Sequence, residues 1–181
     1  MSGKAVPSED GVIRRLAGRA EAEACAALMA ASEPWITLGR GREACLALME
    51  HPEREHYVAL VGGALAGFIV VSMRGAFVGY IQSVAVTPGM RGRGIGTALV
   101  RYAEARIFRG SPNVFLCVSS FNDGARRLYE RLGYALVGEL VDYIVSGHSE
   151  LLYRKTIGPI ASVGPATGPP AGAREPPGSG P

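Results

Sequence analysis

Arg91-Gly92-Arg93-Gly94-Ile95-Gly96 lies within the run VAVTPGMRGRGIGTALVRYAEARI, where strand character gives way to helical character. A strand that ends in a glycine-rich turn and reopens as a helix leaves backbone N–H groups pointing outward at the helix N-terminus. Those donors and the helix dipole favour an anion, and glycine lets it approach closely. Arg91 and Arg93 add positive charge in the same place. A solvated turn is the other reading, and the loop alone does not choose.

Two familiar phosphate patterns fail on the residues. A P-loop needs Gly-Lys-Ser/Thr, but Thr97 here follows Gly96. A dinucleotide fingerprint needs a third glycine where this chain has Thr97.

Outward from the loop, VGYIQSVAV (78–86) reads as a strand and GTALVRYAEARIF as a helix with Ile95, Leu99 and Tyr102 on one face. NVFLCVS (113–119) reads as a buried strand. DGARRLYERL (123–132) is a helix with Asn122 at its N-cap and Gly133 past its end. YALVGELVDYIV and ELLYRKT read as two closing strands around Ser146-Gly147-His148. Upstream, GVIRRLA (11–17) is a strand, and residues 18–32 and 42–51 are helices. HYVALVGGALAGFIVVSM is a hairpin turning at Gly62-Gly63.

The order β-α-α-β-β-β-α-β-α-β-β predicts an α/β domain with a mixed, mostly antiparallel sheet, helices on both faces and one central β-α-β crossover. Such crossovers carry ligands at the carboxyl ends of their strands. The domain is expected to span 11–157. Residues 1–10 read as a flexible N-terminus. Residues 158–181, more than half Gly or Pro, read as a disordered tail.

At 181 residues, 48% of them apolar, the chain can bury one proper core. A net charge of +3 argues against nucleic-acid binding by bulk electrostatics, and no basic aromatic face suggests RNA. Cys25, Cys45 and Cys117 have no metal spacing and read as free thiols in a reducing compartment. His51, His56 and His148 read as surface or turn residues. With no signal-peptide core and no apolar run near the ~18 residues of a membrane span, a cytoplasmic protein without membrane or metal is expected.

The loop has a second signature downstream. VAVTP followed by Arg91-x-x-Gly94-x-Gly96 resembles the acetyl-CoA loop of the GNAT family of N-acetyltransferases, Gln/Arg-x-x-Gly-x-Gly/Ala. Asn122-x-x-Ala125-x-x-Leu128-Tyr129-x-x-x-Gly133-Tyr134 resembles the family's later motif, at the expected distance. The resemblance covers residues 12–156. Within the family the chain looks most like enzymes that acetylate protein or peptide amino groups, including ribosomal-protein alanine N-acetyltransferases.

This resemblance implies transfer of an acetyl group from acetyl-CoA, as co-substrate, to a primary amine on a protein N-terminus or a lysine. Small-molecule amine acetylation and a non-catalytic acetyl-CoA sensor are the alternatives. A monomer or homodimer is expected. By resemblance, backbone groups of Val84, Ala85 and Val86 pair with the pantetheine arm, in a slot where two central strands splay apart. Arg91, Gly92, Arg93, Gly94, Ile95, Gly96 and Thr97 cradle the pyrophosphate, and Asn122 touches the pantetheine region. Tyr129, otherwise a plain core residue, becomes the general acid for the CoA thiolate.

The general base is where the chain departs from its relatives. Some carry Glu or His five residues before the motif asparagine, and this chain has Cys117 there. Gln82, in the neighbouring strand, cannot take a proton. Glu33, in the loop between the first two helices, is the nearest candidate by resemblance, and a water chain or an amine that arrives neutral would also serve. Trp35, Gln82, Cys117 and Tyr143 are expected to line the acceptor side. Direct transfer is expected rather than a Cys117 acyl-enzyme, because a buried thiol ionises poorly.

Overall fold

Gly62 and Gly63 take φ of +56° and +79°, the left-handed pair that a two-residue hairpin turn requires. They join β2 (Arg54–Val61) to β3 (Ala64–Ser72), which extend into a seven-stranded sheet. The computed structural model describes residues 11–162. The other elements are β1 (Gly11–Arg15), α1 (Gly18–Ala30), α2 (Arg42–Met49), β4 (Tyr80–Val86), α3 (Ile95–Ile107), β5 (Asn113–Ser119), α4 (Asp123–Arg131), β6 (Ala135–Leu140) and β7 (Glu150–Thr156). Short 3-10 turns occupy Pro88–Met90 and Ile160–Ser162. Residues 1–10, and the Gly/Pro-rich stretch from 163 on, lie outside the described residues.

The sheet order is β1-β2-β3-β4-β5-β7-β6, antiparallel throughout except between β4 and β5. That one parallel pair is bridged by α3, the crossover expected from sequence. Each face of the sheet has its own core. Cys25 and Met29 of α1 and Cys45 and Met49 of α2 pack on Phe68 and Val70. Leu99, Val100 and Ile107 of α3 pack on Ile69 and Val71, the alternate residues of β3.

Two irregularities in the middle of the sheet shape the site. In β4, Val70 of β3 pairs with Ser83 and Val71 with Ile81, so Gln82 is an extra residue in a β-bulge. The bulge reverses the alternation. Ile81 faces α3, and beyond it Val84 and Val86 do so too, while Ala85 turns toward α1 and α2. In addition, β4 and β5 pair only at Tyr80–Phe115 and Ile81–Leu116, whereas β5 and β7 pair along their whole length. Past Ile81 the central strands part.

Gly67 holds β3 close to the far end of β4, opposite Val86, where β4 has already left β5. A Cβ there would stand 2.5 Å from the Ala85 carbonyl oxygen and 3.2 Å from Leu99 Cδ1. Gly67→Ala must therefore push backbone, at an overpacking cost of about 1–3 kcal/mol. Thermal melting should show a drop of roughly 2–4 °C per kcal/mol at this size. An unchanged melting temperature would mean that β4 moves freely.

Two local expectations are corrected. The strand expected over 134–145 stops at Leu140, and the chain then loops from Val141 to Ser149. Asp142 leaves the extended conformation at φ +51° and its Oδ1 accepts the Gly147 N–H at 2.7 Å, so Tyr143 sits in a loop. His56, expected at the surface, is half-buried in β2 with its Nε2 2.8 Å from the Leu48 carbonyl oxygen.

Candidate active site

The parting of β4 from β5 leaves β4 with an unpaired edge. Thr87 N–H donates to the Ala66 carbonyl on the β3 side at 2.9 Å. Alternation then turns the N–H and C=O groups of Val84 and Val86 the other way. There the Val86 carbonyl accepts a hydrogen bond from Arg91 Nε at 3.3 Å.

The glycine loop lies at the end of this edge. Gly92 and Gly94 have φ of +75° and +77°, and Gly94 is the N-cap of α3. Ala98 N–H is the donor that returns to the Gly94 carbonyl, at 2.9 Å. Ile95, Gly96 and Thr97 precede it, so their N–H groups have no intrahelical partner. Together the β4 edge and the loop wall a groove of about 860 Å³. Its lining includes Val84, Ala85, Val86, Arg91, Gly92 and Gly94, followed by Ile95, Gly96 and Thr97. Arg93, expected in the same set, does not line it. At Gly96 an added Cβ would meet Val86 and Leu128 at 3.6 and 3.7 Å, ordinary contacts, so the fold has room for the alanine that the motif allows.

A smaller pocket of about 140 Å³ shares Val84, Asn122, Ala125 and Tyr129 with the groove. Asn122 Oδ1 accepts the Ala125 N–H at 3.2 Å, which caps α4 and fixes the side chain where the two cavities meet. Tyr129, two turns along α4, is buried with its ring edge-on to Tyr134 at 5.5 Å. Its hydroxyl has no hydrogen bond among the described residues, and burial raises its pKa above the usual phenol value.

Gln82, Cys117 and Tyr143, three of the four residues expected on the acceptor side, come together in the lining of the smaller pocket. Gln82 Oε1 is buried with no partner among the described residues. Burial pushes the Cys117 thiol up, partly offset by Tyr80. Trp35, expected on this side, lines the larger groove instead, with its ring 6.4 Å from that of Phe68. Pro34 and Leu38 of the same loop reach the smaller pocket. Glu33 also lines the groove, and its Oε2 accepts the Thr37 N–H at 3.2 Å, the work of a turn cap.

Sequence reasoning missed Glu150. It opens β7 directly opposite Ser119, and Ser119 Oγ–H donates to its Oε1 at 2.6 Å. Though only 4% exposed, it lines the smaller pocket. Among the described residues no other Asp or Glu does, and no Lys or Arg. Burial raises its pKa, and the Ser119 hydrogen bond partly opposes this. A glutamate at a strand's first residue looks like a solvated charge. Only the β5–β7 register shows that it faces inward.

The family model described as Acetyltransferase (GNAT) family matches residues 19–134. The chain belongs to the GNAT family. This GNAT protein is 32% identical over 148 residues to the N-alpha-acetyltransferase RimI of Mycobacterium tuberculosis, covering 77% of this chain and 89% of that relative. Its fold is similar to an aminoglycoside 6'-N-acetyltransferase complexed with coenzyme A, with a TM-score of 0.66, 20% identity, and coverage of 82% of this chain and 98% of that one. It is also similar to yncA from Salmonella typhimurium, solved with its cofactor acetyl-CoA, with a TM-score of 0.65, 17% identity, and coverage of 83% and 95%. The GNAT protein is an acetyl-CoA-dependent N-acetyltransferase. Among its described residues, no helix is long and apolar enough to cross a membrane, and no three His, Cys, Asp or Glu side chains are grouped to hold a metal ion.

Proposed function

We propose that the enzyme acetylates the α-amino group of a peptide or protein N-terminus. The observation that carries this reading is the charge of the smaller pocket, where Glu150 is the one ionisable carboxylate among the described residues. A polycationic acceptor brings several ammonium groups and needs a carboxylate for each one the pocket desolvates, because a desolvated, unpaired charge costs several kcal/mol. A peptide N-terminus brings one. Tyr143 at 65% exposure and Ile144 at 39% give the pocket a partly apolar rim that suits uncharged peptide. The similarity to an N-alpha-acetyltransferase supports the same reading.

The groove residues fit the co-substrate. Free N–H groups at Ile95, Gly96 and Thr97, with Arg91 alongside, suit a pyrophosphate. The outward backbone groups of Val84 and the outward N–H of Val86 suit an amide-bearing arm laid down like a strand. Acetyl-CoA supplies an acyl carbon activated as a thioester. Val84 N–H, on the open edge, is placed to donate to the carbonyl oxygen as charge develops there. Tyr129, where the cavities meet, gives its proton to the departing sulfur, and its raised pKa keeps it protonated for that task. Gln82 Oε1 offers an acceptor for an N–H of the incoming amine. The Cys117 thiol stays neutral, which favours direct attack by the amine over an acyl-enzyme.

The test is an acceptor panel of unblocked peptides, Nα-blocked lysine peptides, spermine and kanamycin, followed by thiol release. Unblocked peptides should exceed the polycations in kcat/KM by at least about 10²-fold, the equivalent of roughly 2.7 kcal/mol. Preference for spermine or kanamycin would overturn the peptide reading.

A further inference from the structure

We propose that Glu150, on β7, is the general base that removes a proton from the acceptor ammonium. The inference rests on the acetyltransferase reading of the pocket. On β5, where the family resemblance leads one to expect a carboxylate or imidazole, this chain has Cys117, and Glu33 lines the groove as a turn cap. A carboxylate is nevertheless present. Cys117 and Ser119 are alternate residues of β5 and share a face, and Glu150 stands directly across the ladder from Ser119. Glu150 therefore reaches the cavity that Cys117 lines, from the neighbouring strand.

Its surroundings suit the task. Ser119 Oγ–H fixes the carboxylate through Oε1, leaving Oε2 for a substrate proton. Tyr80 from β4, Cys117 from β5, Tyr129 from α4 and Tyr143 from the 141–149 loop are the other titratable groups lining the pocket. None of them is cationic, so among the described residues lining the pocket nothing lowers its basicity by ion pairing. Burial strengthens it further. Tyr80 is held protonated, mainly by burial, and does not compete as a base.

The protons balance as follows. Glu150 takes one proton from the ammonium and later releases it to solvent. The freed nitrogen lone pair forms the C–N bond as the C–S bond breaks. Tyr129 protonates the sulfur and regains a proton from the same nitrogen. The products are the acetylated amine, CoA thiol and one proton in solution.

The test compares wild type, Glu150→Gln and Glu150→Asp by kcat/KM against pH on the best acceptor of the panel, with melting temperature and the CoA-induced shift alongside. Glutamine keeps an acceptor for Ser119, so both thermal readings should stay near wild type. For a peptide, wild-type kcat/KM should be flat from the Glu150 pKa up to the amine's own pKa of about 8. Without the base only neutral amine reacts. The Gln variant should therefore fall about 10²-fold near pH ~6 and recover roughly tenfold per pH unit. Asp should keep the flat profile at a lower rate. A Gln variant within about threefold of wild type at every pH, or lower by a constant factor with the same profile, overturns the proposal, the second result marking a structural role. A wild type that prefers a non-peptide amine removes only the peptide reading, and the comparison runs on that amine. A wild type that acetylates nothing on the panel removes both.

Discussion

Tyr129→Phe should lower kcat about 10²-fold or more, the usual worth of a positioned acid, while the melting temperature barely moves. The two readouts separate because of how the side chain is held. The ring carries the packing, through its edge-on contact with Tyr134 and its place in the α3-side core. The hydroxyl has no hydrogen bond among the described residues, so phenylalanine forfeits no internal bond and removes a buried polar group. The KM for acetyl-CoA should change much less than kcat, because the lost interaction forms chiefly in the transition state. With the phenol pKa raised by burial, this group should produce no alkaline limb in wild-type kcat below pH ~10, its unperturbed value. Stopped assays on the preferred acceptor with a parallel thermal melt decide the matter. A fully active Tyr129→Phe would reduce the hydroxyl to a bystander in the core.

Gly94→Val should abolish most of the stabilisation that acetyl-CoA confers. At ligand near 100 Kd, linkage gives wild type roughly 2.7 kcal/mol. Gly94 caps α3 at φ +77° and lines the groove, so valine there meets two penalties. A β-branched residue resists left-handed backbone, and in the proposed binding mode its bulk crowds the groove wall that holds the pyrophosphate. The backbone strain lowers stability with and without ligand. The informative quantity is therefore the ligand-induced shift in melting temperature, in which that strain cancels. A valine variant that keeps the full wild-type shift would place the phosphates elsewhere.

Much of this architecture was legible in the residues, because local chemistry dictated it. Gly62-Gly63 demanded a tight turn, Asn122 a helix start and Gly133 a helix end, and each lies where the residues put it. The RGRGIG loop announced a helix N-terminus with free donors. What escaped was decided across strands. Tyr80–Val86 reads as one regular strand, and only its pairing with β3 shows that Gln82 is extra and that the alternation reverses there. VDYIV looks like a strand by composition, yet Asp142 turns the chain through a left-handed residue. Trp35 and Glu33 come from one short loop that was expected to border the acceptor. The fold divides it, with Pro34 and Leu38 lining the smaller pocket and Trp35 and Glu33 the groove. Glu150 was hidden most fully, since its burial depends on a partner 31 positions away.

The gap between β4 and β5 also bears on how the protein avoids unwanted association. Unpaired strand edges usually sit at the rim of a sheet, where they invite a second chain to add on and so seed aggregation. Here the sheet keeps a bare edge at its centre, beginning one residue past the Ile81–Leu116 pair. Strands on both sides guard it. Pairing with it means lying between β4 and β5 as one more extended strand, since strand addition sets backbones roughly 4.7–4.9 Å apart. The enzyme thus keeps sticky backbone available, and its place inside the sheet rather than at the rim shields it from casual association.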